Sequence, residues 1–240
     1  MKNYLDKFTE SYKDKFPYSL DNRLILNWYP ERVLNLAKGN SLLELGLGHG
    51  YSSLKFSEKF KRHVVIEGSE EIITLFNINF GTKKISIIHS YFEEYTAEEK
   101  FDVIVMGFIL EHVADPSLIL QKYKQFLNPG GSIFIAVPNA ETLNKRFGYE
   151  AGLIKNLEEL SQADLALGHR RLFTVDSLKS LVSSKGLSIK AIEGIFLKPI
   201  TTQQIINLDL SEEILQAMLK VGINYPELCV GILMETKELR

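Results

Sequence analysis

Three glycines, Gly46, Gly48 and Gly50, alternate with other residues in a loop that two acidic residues flank. Glu44 lies two positions before the first glycine, and Glu67 ends the next apolar run of the chain. Because glycine permits tight turns and close backbone approach, this loop can lie directly against a ligand. A carboxylate at the position of Glu67 can accept hydrogen bonds from both hydroxyls of a ribose. The pattern therefore predicts a site for a nucleoside.

The charge around this loop distinguishes between two nucleoside cofactors. A dinucleotide site uses the spacing G-x-G-x-x-G, and a helix N-terminus there faces a pyrophosphate. In this chain the spacing is G-x-G-x-G, and Glu44 precedes it. An added carboxylate disfavours a pyrophosphate but suits a cationic amino group. S-adenosylmethionine carries an ammonium and a sulfonium and no phosphate, so the pattern favours it over a nicotinamide dinucleotide.

The elements that position the loop follow an alternating order. Five short runs, rich in β-branched or aromatic residues, are each too short for a helix, and helical patterns separate them. Their nearly continuous apolar character indicates strands that are covered on both faces, as in a parallel sheet. Two further strands follow later in the chain. The seven predicted strands span residues 41–45, 63–67, 85–89, 101–106, 131–137, 187–196 and 228–236.

Cap residues mark the helices between these strands. Ser69 precedes an acidic first turn, Asp115 is followed by proline, and Thr174 begins a helix that Gly186 ends. The turn at residues 128–131 is expected to stop the helix that follows Asp115. Repeated strand-helix-strand order implies right-handed crossovers. The predicted fold is α/β: a doubly wound, Rossmann-like, mostly parallel seven-stranded sheet with helices on both faces and a helical cap.

Three segments interrupt the alternation within a single predicted domain, residues 1–240. Residues 1–38 are rich in aromatic side chains, and we interpret them as an N-terminal helical lid. Residues 139–173 and 199–226 are insertions, and the first of them is the expected substrate wall, because such sheets bind ligands beyond the carboxyl ends of their strands. The alternative is that the aromatic residues simply bury an N-terminal helix against the sheet.

Taken together and in order, these motifs resemble those of class I S-adenosylmethionine-dependent methyltransferases. The glycine loop is similar to motif I of that family, E/D-x-G-x-G-x-G, and Glu67 is similar to its ribose-binding acid. Residues 101–113 resemble the fourth-strand motif of the ubiquinone-biosynthesis-like small-molecule branch. Residues 127–131 resemble the turn before its fifth strand, and residues 168–174 resemble a segment common in that branch.

The resemblance covers about residues 40–197 and implies which residues contact the cofactor. Residues 90–93 lie where the family contacts adenine, and Gly107 lies where its backbone passes near the sulfonium. Glu93 can equally belong to a solvated acidic stretch, and Gly107 can equally be a turn glycine. The predicted cofactor-binding residues are Glu44, Gly46, Gly48, Gly50, Glu67, Gly68, Tyr91, Phe92, Glu93 and Gly107.

His112 is the predicted catalytic residue. It follows the fourth strand, beside the expected methyl donor. A neutral imidazole, whose unperturbed pKa is ~6.5, is suited to take a proton from a hydroxyl or an amine. In the family a Glu-His pair at this position is also often structural, so both interpretations of His112 stay open.

The predicted substrate-binding residues are Tyr18, His169, Arg170 and Arg171. Adjacent arginines can clamp a phosphate or carboxylate bidentately, which suggests a phosphorylated compound as the acceptor. The resemblance of residues 168–174 implies a sugar or another polar metabolite, because that segment is common in enzymes of the branch that modify such compounds. The alternative is that the arginines face solvent or pair with Glu158, Glu159 or Asp164.

Composition disfavours several other classes of protein. The formal net charge is -2 and the sequence pI is about 6.2, so a nucleic-acid partner is not expected. The lone Cys229 cannot form an internal disulfide, and it is expected to be a buried packing residue. No zinc cluster is expected from one cysteine and five scattered histidines, and no other metal site is predicted. No uncharged run reaches the ~20 residues of a membrane span, so we expect a cytoplasmic protein with no membrane partner; a homodimer stays open.

The function that these features predict is transfer of a methyl group from S-adenosylmethionine to an oxygen or nitrogen of a small polar metabolite, with S-adenosylhomocysteine as the product. The alternatives are an RNA or protein methyltransferase, or a non-catalytic protein that binds the cofactor or its demethylated form.

Overall fold

The computed structural model describes residues 19–81 and 84–239, which form nine helices and seven strands. The strands are β1 (Ser41–Leu45), β2 (Arg62–Glu67), β3 (Ser86–His89), β4 (Phe101–Gly107), β5 (Leu127–Pro138), β6 (Leu187–Ile195) and β7 (Gly231–Glu238). The helices are α1 (Ser19–Leu36), α2 (Tyr51–Lys59), α3 (Glu70–Asn79), α4 (Pro116–Lys124), α5 (Leu143–Glu150), α6 (Gln162–Ala166), α7 (Val175–Ser184), α8 (Thr202–Leu208) and α9 (Glu212–Gly222).

All seven strands belong to one sheet, in the order β3-β2-β1-β4-β5-β7-β6. The pairs among β1 to β5 are parallel, whereas β7 runs antiparallel to both β5 and β6. The chain winds outward from β1 to β3 and then restarts at β4 on the other side. This arrangement confirms the predicted mostly parallel, doubly wound sheet. It places the switch point, where such sheets bind ligands, at the carboxyl ends of β1 and β4.

The predicted helix caps form as expected. The Ser69 side chain accepts a hydrogen bond from the backbone N–H of Ile72, and the Asp115 side chain accepts two from the first turn of α4. Thr174 forms a capping box with Ser177 at the start of α7. These local contacts satisfy N–H groups that a helix leaves unpaired at its first turn.

Two strand boundaries differ from the prediction. Strand β5 begins at Leu127 instead of residue 131, because the residues of the expected turn form an irregularity within the strand. Strand β7 begins at Gly231, so Cys229 lies just before it. Cys229 is fully buried, and burial raises the pKa of its thiol to about 12, as expected for a packing residue and not a nucleophile.

Helices cover both faces of the sheet, as predicted. On one face, Leu43 of β1 and Met106 of β4 share a core cluster with residues of α4 and α7. On the other face, Leu42 of β1 and Val105 of β4 pack with residues of α1, α2 and α9. Alternate residues of the central strands thus enter two separate cores, which explains why their sequences are apolar on both faces.

Helix α1 lies inside the segment predicted to be a lid. Leu24, Tyr29 and Val33 are buried in the second of these cores. The burial of Tyr29 agrees with the alternative interpretation, in which the aromatic residues bury an N-terminal helix against the sheet. The movement of a lid stays a prediction, and Tyr18 lies outside the described residues. None of the described helices is both long and apolar enough to cross a membrane.

Asp102 joins the amino ends of three strands. Its Oδ2 accepts hydrogen bonds from the backbone N–H groups of Asn40 (2.8 Å) and Ser41 (3.1 Å). Its Oδ1 accepts one from the side-chain amide of Asn128 (2.9 Å), which holds the irregular start of β5. The hydrogen bond from Asn40, supported by those from Asn128 and Ser41, outweighs partial burial and lowers the pKa of Asp102.

We expect Asp102→Asn to lower the free energy of unfolding by about 1–3 kcal/mol at neutral pH, because the amide cannot accept all of these bonds. The folded pKa of Asp102 is depressed, so its stabilisation is present above the unfolded value of ~3.9 and is lost as the pH falls below it. Urea titrations at pH 7 and at low pH should therefore show the difference between variant and wild type shrinking in acid. Asp176→Asn, at an exposed helix position, is the control; an equal effect there would contradict the role of Asp102.

Candidate active site

The glycine loop lies between β1 and α2 in a left-handed conformation. The φ angles are 81° at Gly46, 50° at Gly48 and 81° at Gly50, a region that residues with a side chain rarely adopt. The Gly46 N–H continues the sheet by donating to the carbonyl of Ile66 (2.8 Å), and a Cβ at Gly46 would lie 3.3 Å from Ile109. The backbone therefore requires glycine for its conformation as well as for space.

Gly50 lies where two helices pack closely. It precedes α2, and a Cβ there would lie 2.7 Å from the ring of Phe76 and 2.9 Å from that of Phe80. Gly50 does not line the cavity described next. The third glycine of the motif thus lets α2 and α3 pack closely, and its predicted contact with the cofactor stays a prediction.

A cavity of about 680 Å³ opens at the carboxyl ends of β1, β2 and β4. The sheet edge, α1 and the 139–173 insertion all contribute to its walls. Most of the residues predicted from the sequence meet there, whereas Gly50 and Arg171 do not line it and Tyr18 is outside the described residues. The predicted residues that line the cavity are Glu44, Gly46, Gly48, Glu67, Gly68, Tyr91, Phe92, Glu93, Gly107, His112, His169 and Arg170.

Glu67 is buried at the end of β2, with both carboxylate oxygens held by backbone. Its Oε2 accepts from the N–H of Leu47 (2.9 Å), and its Oε1 accepts from the N–H of Ser69 (2.8 Å). Burial raises the pKa of Glu67, although these amide donors oppose the shift. Each carboxylate oxygen has a second lone pair, so the side chain keeps acceptor capacity toward the cavity.

Glu44 is buried near the end of β1, where it pairs with His63 of β2. Its Oε2 lies 2.8 Å from Nε2 of His63, and both side chains are almost fully enclosed. Glu44 and His63 share one face of the sheet because the register pairs Leu42 with His63 and Glu44 with Val65. Only the pairing of β1 with β2 reveals this contact.

The exit of β4 is shaped by a tyrosine from α1. A Cβ at Gly107 would lie 2.5 Å from Oη of Tyr29, so the absence of a side chain at Gly107 makes room for this hydroxyl. The Tyr29 hydroxyl donates to Oγ of Ser52 (2.9 Å), and its ring packs edge-on against Phe108. Phe108 has a φ of 56°, an unfavourable angle for an aromatic residue at the point where the strand turns into the site.

His112 lies among other titratable groups beyond β4. Its ring packs edge-on against that of His169, with the centroids 4.8 Å apart. Burial, and then the neighbouring His169, lower the pKa of His112 to about 4, so the imidazole is neutral at physiological pH. On the far side, Nδ1 of His169 lies 3.1 Å from Oδ1 of Asp164. Burial acts to raise the pKa of Asp164, but the hydrogen bonds from His169 and Ser161 outweigh it and lower the pKa to about 2.

Glu111 adds a buried acid to this group. Within the described parts of the chain, neither of its carboxylate oxygens has a hydrogen-bond partner. Burial raises its pKa to about 7. One ligand atom from each of Glu111, His112 and His169 lies within 4.8 Å of the others, close enough for the three to hold one metal ion. The expectation that the scattered histidines cannot form such a cluster is thus wrong, because the insertion brings His169 to His112; a metal-free site stays a prediction.

The two predicted arginines have different environments. The guanidinium of Arg171 donates to the carbonyls of Leu110 (3.1 Å), Val113 (2.6 Å) and Ala114 (3.0 Å). Arg171 therefore holds the loop after β4, and a substrate contact by either arginine stays a prediction. The side chain of Arg170 is exposed at the cavity. Asp164, considered as an arginine partner, pairs with His169 instead.

Asp21 and Lys198 also line the cavity, although no sequence motif marks them. The Lys198 ammonium lies 2.5 Å from Oδ2 of Asp21, and the Thr202 hydroxyl donates to the same oxygen at 3.0 Å. Asp21, Ile25 and Tyr29 recur at helical spacing and so share one face of α1, the face toward the cavity. Their positions follow from the docking of α1, which local sequence patterns do not reveal.

Residues 20–192 match the family model of the methyltransferase domain. The chain belongs to this family. Among curated relatives, the ubiquinone biosynthesis O-methyltransferase of Pseudomonas fluorescens is 27% identical over 188 residues, which are 75% of this chain and 77% of the relative. The human mitochondrial ubiquinone biosynthesis O-methyltransferase is 27% identical over 197 residues, which are 77% of this chain and 51% of the relative. The protein is therefore a class I S-adenosylmethionine-dependent methyltransferase, as its motifs predicted.

Solved structures share the fold at low sequence identity. A Thermotoga maritima methyltransferase, described as a possible histamine N-methyltransferase, superposes with a TM-score of 0.66 at 17% identity, covering 98% of this chain and 96% of its own. The N-methyltransferase NodS of Bradyrhizobium japonicum, solved with S-adenosylhomocysteine, has a TM-score of 0.64 at 13% identity and full coverage of both chains. These similarities confirm the Rossmann-like fold of this methyltransferase.

The contrast between the two arginines yields a paired test. We expect Arg171→Met to lower the free energy of unfolding by about 3 kcal/mol, since three carbonyls lose a charged donor. Arg170→Met, at an exposed position, should change it by less than about 0.5 kcal/mol. Chemical denaturation of both variants measures the difference. Equal stability of the two variants would show that Arg171 does not hold the loop.

Proposed function

We propose that this methyltransferase transfers the methyl group of S-adenosylmethionine to a hydroxyl oxygen of a small molecule. The observation that carries the proposal is the single cavity that runs from the glycine loop and Glu67 to His112 and the 139–173 insertion. The naming of the curated relatives as O-methyltransferases favours oxygen over nitrogen as the acceptor atom.

The residues at the sheet edge fit the methyl donor. S-adenosylmethionine, when bound, supplies an electrophilic methyl group on a sulfonium. Glu44 would face the ammonium of its methionine part, and Glu67 would accept hydrogen bonds from the ribose. The backbone at Gly46 and Gly48 leaves space for close approach. Tyr91, Phe92 and Glu93 would surround the adenine, as the family resemblance implies.

The charges of the cavity support this assignment over a dinucleotide. Three of its lining residues are lysines or arginines, namely Lys145, Arg170 and Lys198, and none belongs to the glycine loop. Among the described residues, a pyrophosphate at that loop would face the carboxylates of Glu44 and Glu67 without a basic side chain in the loop itself. A cationic amino acid moiety suits the same carboxylates.

The acceptor would lie between the cavity-facing side of α1 and the 139–173 insertion. Ile25, Leu26, Tyr29 and Phe108 contribute apolar surface there, which suits a flat or apolar body more than a sugar. The comparisons do not support a sugar or phosphorylated acceptor, and Arg171 is engaged with backbone carbonyls. The lid role of α1 and the wall role of the insertion are part of this proposal.

In this proposal the protein acts mainly by alignment. Displacement of a methyl group needs the acceptor oxygen in line with the bond that breaks, and alignment of this kind can contribute ~7–11 kcal/mol. The hydroxyl proton would pass to His112, whose neutral imidazole can accept it as the new oxygen–carbon bond forms. Its low pKa, about 4, makes His112 a weak base, so the proton transfer contributes less than the alignment does.

The first experiment separates cofactor binding from turnover. We expect titration calorimetry to show binding of both S-adenosylmethionine and S-adenosylhomocysteine, and no binding of NADH. A radiolabelled methyl-transfer screen over phenols, catechols and primary amines should then show labelled products among the hydroxyl compounds. Binding without any transfer would favour the non-catalytic alternative, and transfer to amines alone would contradict the proposed oxygen acceptor. Absence of binding at millimolar concentrations would overturn the function.

The second experiment addresses His112. With an acceptor from the screen, we expect His112→Gln to lower kcat by about 100-fold while S-adenosylhomocysteine binding stays unchanged, as for loss of a general base. Turnover within a few-fold of wild type would remove His112 from the mechanism. The same assay after EDTA treatment tests the metal-free expectation, since activity lost to EDTA and restored by a divalent cation would show that the group around Glu111 needs an ion.

A further inference from the structure

Glu44 occupies a costly position for a charged residue. It lies on a central strand, with its side chain almost fully enclosed by the core that contains Phe56. A carboxylate removed from water requires a charged or hydrogen-bonding partner, and the penalty is large when it has none. The contact at its Oε2 with Nε2 of His63, at 2.8 Å, supplies such a partner.

The roles of the two groups follow from their chemistry. A carboxylate only accepts hydrogen bonds, so Nε2 of His63 must carry the proton that lies between them. The edge of the Phe56 ring packs against the imidazole, with centroids 6.4 Å apart. The histidine is 1% exposed, so its ring has little freedom to move. Oε2 of Glu44 is therefore held in a defined direction.

The other carboxylate oxygen is left for the cavity. Among the described residues, the only hydrogen bond to the Glu44 side chain is the one to Oε2, and the residue lines the cavity beside Gly46. Glu44 thus has two neighbours: His63 contacts its Oε2, and the residue also lines the cavity.

We propose that His63 is a positioning residue for the methyl donor: it compensates the buried charge of Glu44 and directs the carboxylate toward the ammonium of the bound cofactor. This inference rests on the proposed function and adds a residue on β2 that the glycine motif does not contain. It implies that His63 affects ligands through their amino acid part alone, because Glu44 has no part in holding the nucleoside.

Two ligands separate this role from a purely structural one. S-adenosylhomocysteine carries the ammonium, whereas 5′-methylthioadenosine shares its thioadenosine part but lacks the amino acid. In His63→Leu the charge of Glu44 loses its partner, so we expect S-adenosylhomocysteine to bind at least about tenfold more weakly. Binding of 5′-methylthioadenosine should stay within about twofold of wild type. Titration calorimetry of both ligands measures the ratio.

Matched variants keep the test valid if the leucine variant does not fold. His63→Gln can place an amide N–H near the position of Nε2, and it should restore most of the affinity for S-adenosylhomocysteine. His63→Asn is one methylene shorter, and it should behave as the leucine variant does. In a Glu44→Gln background, His63→Asn should cause no further loss of affinity, because His63 acts through Glu44.

Equal loss of affinity for the two ligands, or no loss for either, would overturn the positioning role, as would indistinguishable glutamine and asparagine variants. These outcomes differ from failure of the proposed function, in which the wild-type protein itself would not bind S-adenosylhomocysteine. A methyltransferase that binds the product normally with or without His63 would keep its function and lose only this inference.

Discussion

The site depends on placing acidic side chains where a sheet ends and water is largely excluded. Four acidic side chains in this region have different surroundings. Glu44 uses a histidine from the neighbouring strand, Glu67 uses two backbone amides, and Asp164 uses His169 and Ser161. Glu111 has no partner among the described residues and has a pKa of about 7 instead. Asp164 and Glu111, two acids of similar chemistry, therefore have their pKa values shifted in opposite directions within one cavity.

The sheet topology explains why the two ends of the cavity differ. Residues at the ends of β1 and β2 are fixed by parallel pairing, so Glu44, Glu67 and the glycine loop keep their relative positions without a ligand. The other end is built from α1 and the 139–173 insertion, which meet the loop after β4 through contacts such as the Arg171 hydrogen bonds. In the proposed function the first end holds the cofactor and the second holds the acceptor.

Local sequence predicted the elements, and most of the residues it singled out line one cavity, because their signals lie within a few residues of each other. Cap residues such as Ser69 and Asp115, the apolar runs and the left-handed glycines act over short distances. Local sequence did not predict contacts between distant segments. These are the position of β7 in the sheet, the pair of His63 with Glu44, and the contact of His169 with His112. Each depends on strand register or on how an insertion folds back, which periodicity does not encode.

Gly50 and Arg171 show that a residue of a motif can meet a structural requirement as well as a predicted ligand contact. Gly50 belongs to the family pattern, and its missing side chain makes room for Phe76. Close packing of this kind requires glycine just as a ligand contact would, so the sequence alone does not distinguish the two. Arg171 is adjacent to Arg170, yet Arg171 reaches backbone carbonyls and Arg170 lines the cavity. A motif specifies which residue types occur together, and only the surrounding structure decides whether the ligand or the fold requires them.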